Sequence, residues 1–127
     1  MPDVMFPVEV IRGIPVVATP EEIDITNATD LRAALLDASE AGHGTLIVDM
    51  TRTQFCDSAG LHALVGAHRR ALAAGGAVVL AIAGEAVLRI LALTGVDGVI
   101  PNFTSLEEAL AQTAGAASTA RQLSGLA

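Results

Sequence analysis

Two stretches of consecutive apolar residues, Leu46-Ile47-Val48 and Ala77 to Ala83, restrict the fold more than any other feature of the chain. A strand with one wet face alternates apolar and polar residues, so an unbroken apolar strand must be buried on both faces. The longer run is far too short to cross a bilayer as a helix, which takes about 20 residues. Each run is followed by apolar residues at helical spacing. Leu61, Leu64, Val65 and His68 follow the first, and Val87, Leu88 and Leu91 the second. A sheet covered by helices satisfies both patterns.

The rest of the chain extends that reading. Val8 to Arg12 and Ile14 to Ala18 read as short strands around a tight turn at Gly13, and Pro20 ends the second. Thr26 or Asn27 can cap a first helix, with Asp30 in its first turn, apolar Leu31, Ala34, Leu35 and Ala38, and an exit at Gly42 and Gly44. Asp57-Ser58 opens the second helix and Gly75-Gly76 closes it. Glu85 to Leu93 forms a third, ending at Gly95 in the left-handed conformation. Val99-Ile100 reads as a short strand closed by Pro101. A last helix admits two capping boxes, Thr104 with Glu107 or Ser105 with Glu108, and buries Leu106, Ala109 and Leu110. The expected architecture is a single α/β domain over residues 1–115, with four or five mostly parallel strands and about four helices. Residues 116–127 read as a flexible tail.

Composition narrows the function. The 127 residues carry a formal charge of −7, which speaks against nucleic acid and against an anionic membrane surface. All seven basic residues are arginines, and Arg69-Arg70 forms the one basic pair. The single Cys56 excludes an internal disulfide, and no basic segment precedes an apolar run at the N-terminus, so a cytoplasmic protein is expected. His43, His62 and His68 lack metal-site spacing, and His68 lies on an apolar stripe. Gln54-Phe55-Cys56-Asp57-Ser58 contains no nucleophile elbow, and no phosphate-binding glycine loop occurs. Asp24, Asp49 and Asp57 fit caps and turns better than a catalytic carboxylate cluster. Cys56 fits packing better than thiol catalysis.

Ser58 is the residue where fold and chemistry coincide: one hydroxyl at a helix start, beyond the end of a buried strand. It admits two compatible readings. Asp57 or Ser58 is an N-cap; or Ser58 is a phosphorylatable switch, because free N–H groups and the helix dipole at a helix start stabilise a phosphoryl group.

Asp57-Ser58-Ala59-Gly60-Leu61, in the company of Glu22-Ile23-Asp24, Leu46-Ile47-Val48-Asp49-Met50, Gly76-Ala77-Val78-Val79-Leu80, Leu93-Thr94-Gly95-Val96 and Ser105-Leu106-Glu107-Glu108-Ala109-Leu110, resembles the STAS domain family, in particular bacterial anti-sigma factor antagonists. The resemblance implies a mixed sheet backed by helices on one side and a non-enzymatic role without a cofactor. It implies phosphorylation of Ser58 by an anti-sigma factor with serine kinase activity, binding to that partner and release of a sigma factor when unphosphorylated, and reversal by a PP2C-type phosphatase. The expected partner surface is the segment Glu21 to Asn27, the Thr53 to Ser58 loop and the exposed side of the following helix, with Glu22, Asp24, Thr26, Asn27, Asp57, Ser58, Ala59 and Gly60 as its binding residues. Glu21 departs from the family's usual glycine, so its turn must differ or avoid positive φ. Ala59 replaces a frequent second serine. The alternative is a constitutive STAS subunit of a stressosome-like or lipid-transport complex, in which Ser58 is mainly a cap. A monomer or a weak homodimer fits equally.

Overall fold

A computed structural model describes residues 5–41 and 44–113, so His43 and the expected tail lie outside the described residues. The chain opens with a hairpin of β1 (Val8–Ile11) and β2 (Ile14–Ala18), paired antiparallel with Ile11 opposite Ile14. Arg12 and Gly13 both have positive φ, 54° and 80°, as the two-residue turn matching strand twist requires. After a two-residue strand β3 (Glu22–Ile23) come α1 (Ala28–Ala41) and β4 (Leu46–Asp49). A second two-residue strand, β5 (Phe55–Cys56), leads into α2 (Ser58–Ala73), β6 (Val78–Ala81) and α3 (Glu85–Thr94). A 3-10 turn at Val96–Gly98 precedes β7 (Asn102–Phe103), and α4 covers residues 106–113.

The main sheet has the order β1-β2-β4-β6-β7, parallel except at the hairpin, while β3 and β5 form a separate parallel pair. Because the order never reverses after β2, right-handed crossovers place α1, α2 and α3 on one face. Leu31, Leu35, Leu64, Val87 and Leu91 accordingly share a buried cluster with Val17, Leu46, Val48, Val78 and Leu80. The residues between these in the strands point the other way. Ile47, Val79 and Ala81 join Ile14, Val16, Ala109 and Leu110 beneath α4. The continuous apolar strands are thus explained by burial on both faces, and the one-sided backing implied by the family resemblance holds for three helices but not for α4.

Local signals decide most helix ends. Gly95 closes α3 with φ 79°, and at α4 the Ser105 hydroxyl accepts from the Glu108 N–H at 3.1 Å, which selects Ser105 from the two capping readings. The strand expected at Val99-Ile100 is corrected. Ile100 N–H donates to the Val96 carbonyl in the 3-10 turn, and the Ile100 side chain is buried in the main core. The chain reaches the sheet edge only past Pro101, as β7. His68 is buried on α2, its Nδ1 accepting from the Val78 N–H at 3.2 Å. Burial pushes its pKa below the ordinary value, against a weaker opposing hydrogen bond with the Val99 backbone.

Candidate functional site

The loops leaving β2 and β4 are tied together at the carboxyl end of the sheet. Gln54 and Phe55 N–H both donate to the Glu21 carbonyl, at 2.7 and 3.1 Å, and Asp57 N–H donates to the Ile23 carbonyl at 3.0 Å. Beneath this ribbon, the hydroxyls of Thr19 and Thr53 lie 2.6 Å apart, and Thr53 Oγ1 donates to the Pro20 carbonyl at 2.7 Å. Thr53 is fully buried, so its hydrogen bonds fix where the second loop leaves the core. Glu21 adopts no positive φ. The loop therefore accommodates it in place of the family's usual glycine by taking an ordinary conformation, with the Glu21 carbonyl as the ribbon's double acceptor.

Asp57 is the N-cap of α2, with extended backbone and Oδ1 accepting from the Gly60 N–H at 3.1 Å. Its Oδ2 accepts from the Ile25 N–H at 3.2 Å, so one carboxylate caps the helix and holds the neighbouring loop. Ser58 is consequently the first residue of the helix and is exposed. Among the described residues its hydroxyl makes no hydrogen bond, which corrects the reading of Ser58 as a cap. Gly60 is buried because the helix start presses on the ribbon. A Cβ there would lie 2.6 Å from Ile23 Cγ2 and 2.7 Å from Cys56 Sγ.

The first loop is closed differently. The Asp24 carboxylate accepts from the Thr26 hydroxyl and, at 2.9 Å, from the Thr26 N–H. The Thr26 hydroxyl hydrogen bond, and then the Thr26 N–H, hold the Asp24 carboxyl below its ordinary pKa. The buried Asn27 side chain accepts from the Asp24 N–H and donates to the Glu22 carbonyl, both at 2.9 Å. It folds back onto the loop, and among the described residues it accepts from no N–H of its own helix. Of the eight expected partner-binding residues, Glu22, Thr26 and Ser58 are exposed, Asp24, Asp57 and Ala59 half-buried, and Asn27 and Gly60 buried. The last two shape the surface from below.

Two residues of this surface lie inside the expected Glu21 to Asn27 and Thr53 to Ser58 segments but are not singled out by the sequence. Ile25 is 77% exposed and Phe55 46% exposed, one from each joined loop. Phe55 alternates with buried Cys56, a two-residue signal too short to stand out. Ile25 is an apolar side chain inside a polar turn, off every helical stripe. Burial, and then the charge of Asp57, push the Cys56 thiol up to about 12, which keeps it protonated and unreactive near neutral pH. Asp49 closes its own turn on Thr51, by N–H at 3.1 Å and hydroxyl at 2.7 Å, so the three aspartates do not pool into one acidic centre. Among the described residues, no group of three or more His, Cys, Asp or Glu is placed to hold a metal ion, and no histidine hydrogen-bonds Ser58.

A rigid two-loop platform carrying an apolar pair and one free hydroxyl suits protein contact, and the class of protein it defines is a binding module. The family follows from comparison with known proteins: the STAS domain matches residues 5–109, and the chain belongs to the STAS domain family. Domains of this family are regulatory and non-catalytic.

Proteins described as anti-sigma factor antagonists are among its relatives, and a sulfate transporter family protein from Wolinella succinogenes shares the fold. A Thermotoga neapolitana homolog of TM1081, a candidate anti-sigma factor antagonist by name, is 23% identical over 87% of this chain and 99% of its own length. An anti-sigma factor antagonist from Mycobacterium paratuberculosis superposes with a TM-score of 0.77 at 28% identity, covering 85% of this chain and 92% of that one. Unphosphorylated SpoIIAA, an anti-sigma factor antagonist, gives 0.72 at 26% identity over 87% and 96%. The phosphorylated Bacillus form gives 0.64 at 25% identity over 84% and 97%. No described helix is long and apolar enough to cross a membrane.

Proposed function

We propose that this chain is an anti-sigma factor antagonist whose Ser58 is a phosphorylation switch. Unphosphorylated, it binds an anti-sigma factor with serine kinase activity and frees a sigma factor. Phosphorylation by that partner ends binding, and a PP2C-type phosphatase restores it.

The observation that carries the reading is the state of the Ser58 hydroxyl, exposed and unengaged at the first position of α2. Because Asp57 performs the capping, a phosphoryl group on Ser58 removes no hydrogen bond from the fold. The N–H groups and dipole of the helix start favour the added charge. What changes is the surface: about −1.5 to −2 charges appear beside Asp57, between the two loops. A partner that packs on Ile25 and Phe55 then meets repulsion and a desolvation cost. The existence of SpoIIAA in both phosphorylated and unphosphorylated forms supports the reading by analogy.

Incubation with the cognate kinase and ATP, followed by mass spectrometry, is expected to give one phosphate on Ser58, and Ser58→Ala none. Full phosphorylation of Ser58→Ala would reject the assignment. Calorimetry with the same partner is expected to show weaker binding of Ser58→Asp. Unchanged affinity would rule out the charge mechanism.

A further inference from the structure

Away from the Ser58 surface, a cleft of about 460 Å³ runs between α1 and α2. That volume falls within the roughly 300–1,000 Å³ typical of small-ligand sites. Its floor and walls are apolar, with Ala33, Leu36 and Gly66 among them, while Arg32, His62 and Arg70 supply nitrogen donors and no carboxylate lines it. In a chain of charge −7 its lining carries two arginines and no carboxylate, while Glu40 lines the adjoining cleft with Arg70. Among the described residues neither Arg32 nor Arg70 has an ion-pair partner; the one ion pair present joins Arg12 to Glu107 on the other side of the sheet. His62 and Arg70 are eight residues apart on α2, so the donors are spread along about 12 Å of helix.

Gly66 supplies a second, independent observation. It is exposed in the middle of α2, and a Cβ placed there would meet no atom within 4 Å. Glycine at such a position destabilises a helix relative to alanine, and no packing within the fold requires it. It lines the cleft, and a side chain there would project into open space.

We propose that the α1–α2 cleft binds a small amphiphilic anion: an apolar body laid along Leu36 and Gly66, with its anionic group held by Arg32 or Arg70. An apolar cleft of this size, whose guanidiniums form no ion pair among the described residues, matches such a ligand in volume and in charge. The site is separate from Ser58, so it stands or falls apart from the phosphorylation switch.

Sodium decanoate is the probe, titrated into the isotope-labelled full chain and followed by amide NMR and calorimetry. Saturable shifts are expected along residues 29–39 and 62–70. Arg32→Gln or Arg70→Gln is expected to weaken binding roughly tenfold, the scale of one lost charge-assisted hydrogen bond. Gly66→Leu fills the cleft and is expected to abolish binding while the melting temperature holds or rises, which separates blockage from unfolding. The proposal is overturned if neutral 1-decanol binds as tightly as decanoate, if Gly66→Leu keeps the affinity, or if decanoate produces no saturable shift. It is equally overturned if the cleft amides respond to an acidic helical peptide and not to decanoate, which would make the cleft a protein-docking groove.

Discussion

Asp24-Ile25-Thr26-Asn27 and Asp57-Ser58-Ala59-Gly60 are alike in outline. Each starts with an aspartate beyond a strand, carries a hydroxyl and leads into a helix. Their chemistry is opposite. In the first, the hydroxyl stands two residues after the aspartate and turns back onto its carboxylate, while Asn27 locks the loop from inside. In the second, the hydroxyl directly follows the aspartate. The Asp57 carboxylate is taken by two backbone N–H groups, from Gly60 and from Ile25, and Ser58 is left facing solvent. Whether a hydroxyl is available to another protein depends here on a one-residue difference in spacing and on what else its aspartate must hold.

The fourth positions give the sharpest way to break this comparison. Asn27 fills its site with a bonded side chain, whereas Gly60 leaves room for Ile23 and Cys56 to touch the helix start. Gly60→Ala forces a carbon into that contact. It is expected to destabilise the domain by about 1–3 kcal/mol, the usual range for overpacking, measurable by urea unfolding. A cost near zero would mean that α2 can slide off the ribbon. Asp57→Ala comes next, since it removes the cap and the tie to Ile25 together. Loss of a cap costs about 1 kcal/mol, and chemical-shift changes are expected to reach Ile25 in the other loop. Asp24→Ala, which frees one exposed turn, is expected to shift the unfolding midpoint less. The reverse order would show that the first loop, and not Asp57, organises this end of the sheet.

The sheet core was legible because consecutive apolar residues in Leu46-Ile47-Val48 can be satisfied only by two covered faces, and the hairpin because Gly13 stands at its centre. The helix periods of α1, α2 and α3 were equally plain. The ribbon of β3 and β5 was not. Two-residue strands have no periodicity, and the bonds that make this pair join Glu21 to Gln54 and Phe55 across a long stretch of chain. Val99-Ile100 misled because two β-branched residues before a proline look like a strand, while burial of Ile100 in the core won. At the site, Ser58 stood out by its place, yet both Asp57 and Ser58 are good caps by type. The choice between them rests on the extended backbone at Asp57 and on the position of the Gly60 N–H, neither written in local sequence.

A smaller effect probes the closed hydroxyl directly. The Asp24 carboxyl titrates below its ordinary value of 3.8, chiefly because of the Thr26 hydroxyl. A carboxyl depressed by folding contributes stability above its unfolded pKa, and that contribution is lost as pH falls through the folded value. Carbon-detected NMR titration is expected to find the Asp24 midpoint under 3.8, and Thr26→Val to raise it toward that value. An unmoved midpoint in Thr26→Val would mean that the Thr26 hydroxyl is as free as that of Ser58, and the contrast between the loops would disappear.

The least change is expected at the residue to which the proposed function assigns most. Ser58→Ala deletes a hydroxyl that bonds to nothing among the described residues, at a helix position where alanine is a good helix former. Its effect on unfolding free energy should stay within about 0.5 kcal/mol, the range for surface substitutions away from special features. A loss as large as that of Asp57→Ala would show the Ser58 hydroxyl to be part of the capping structure. Phosphorylation would then have to remove that bond and loosen the helix start. A near-neutral result keeps fold and switch independent: Asp57 holds the helix, Ser58 carries the modification, and a charge can be added or removed there with the platform unchanged.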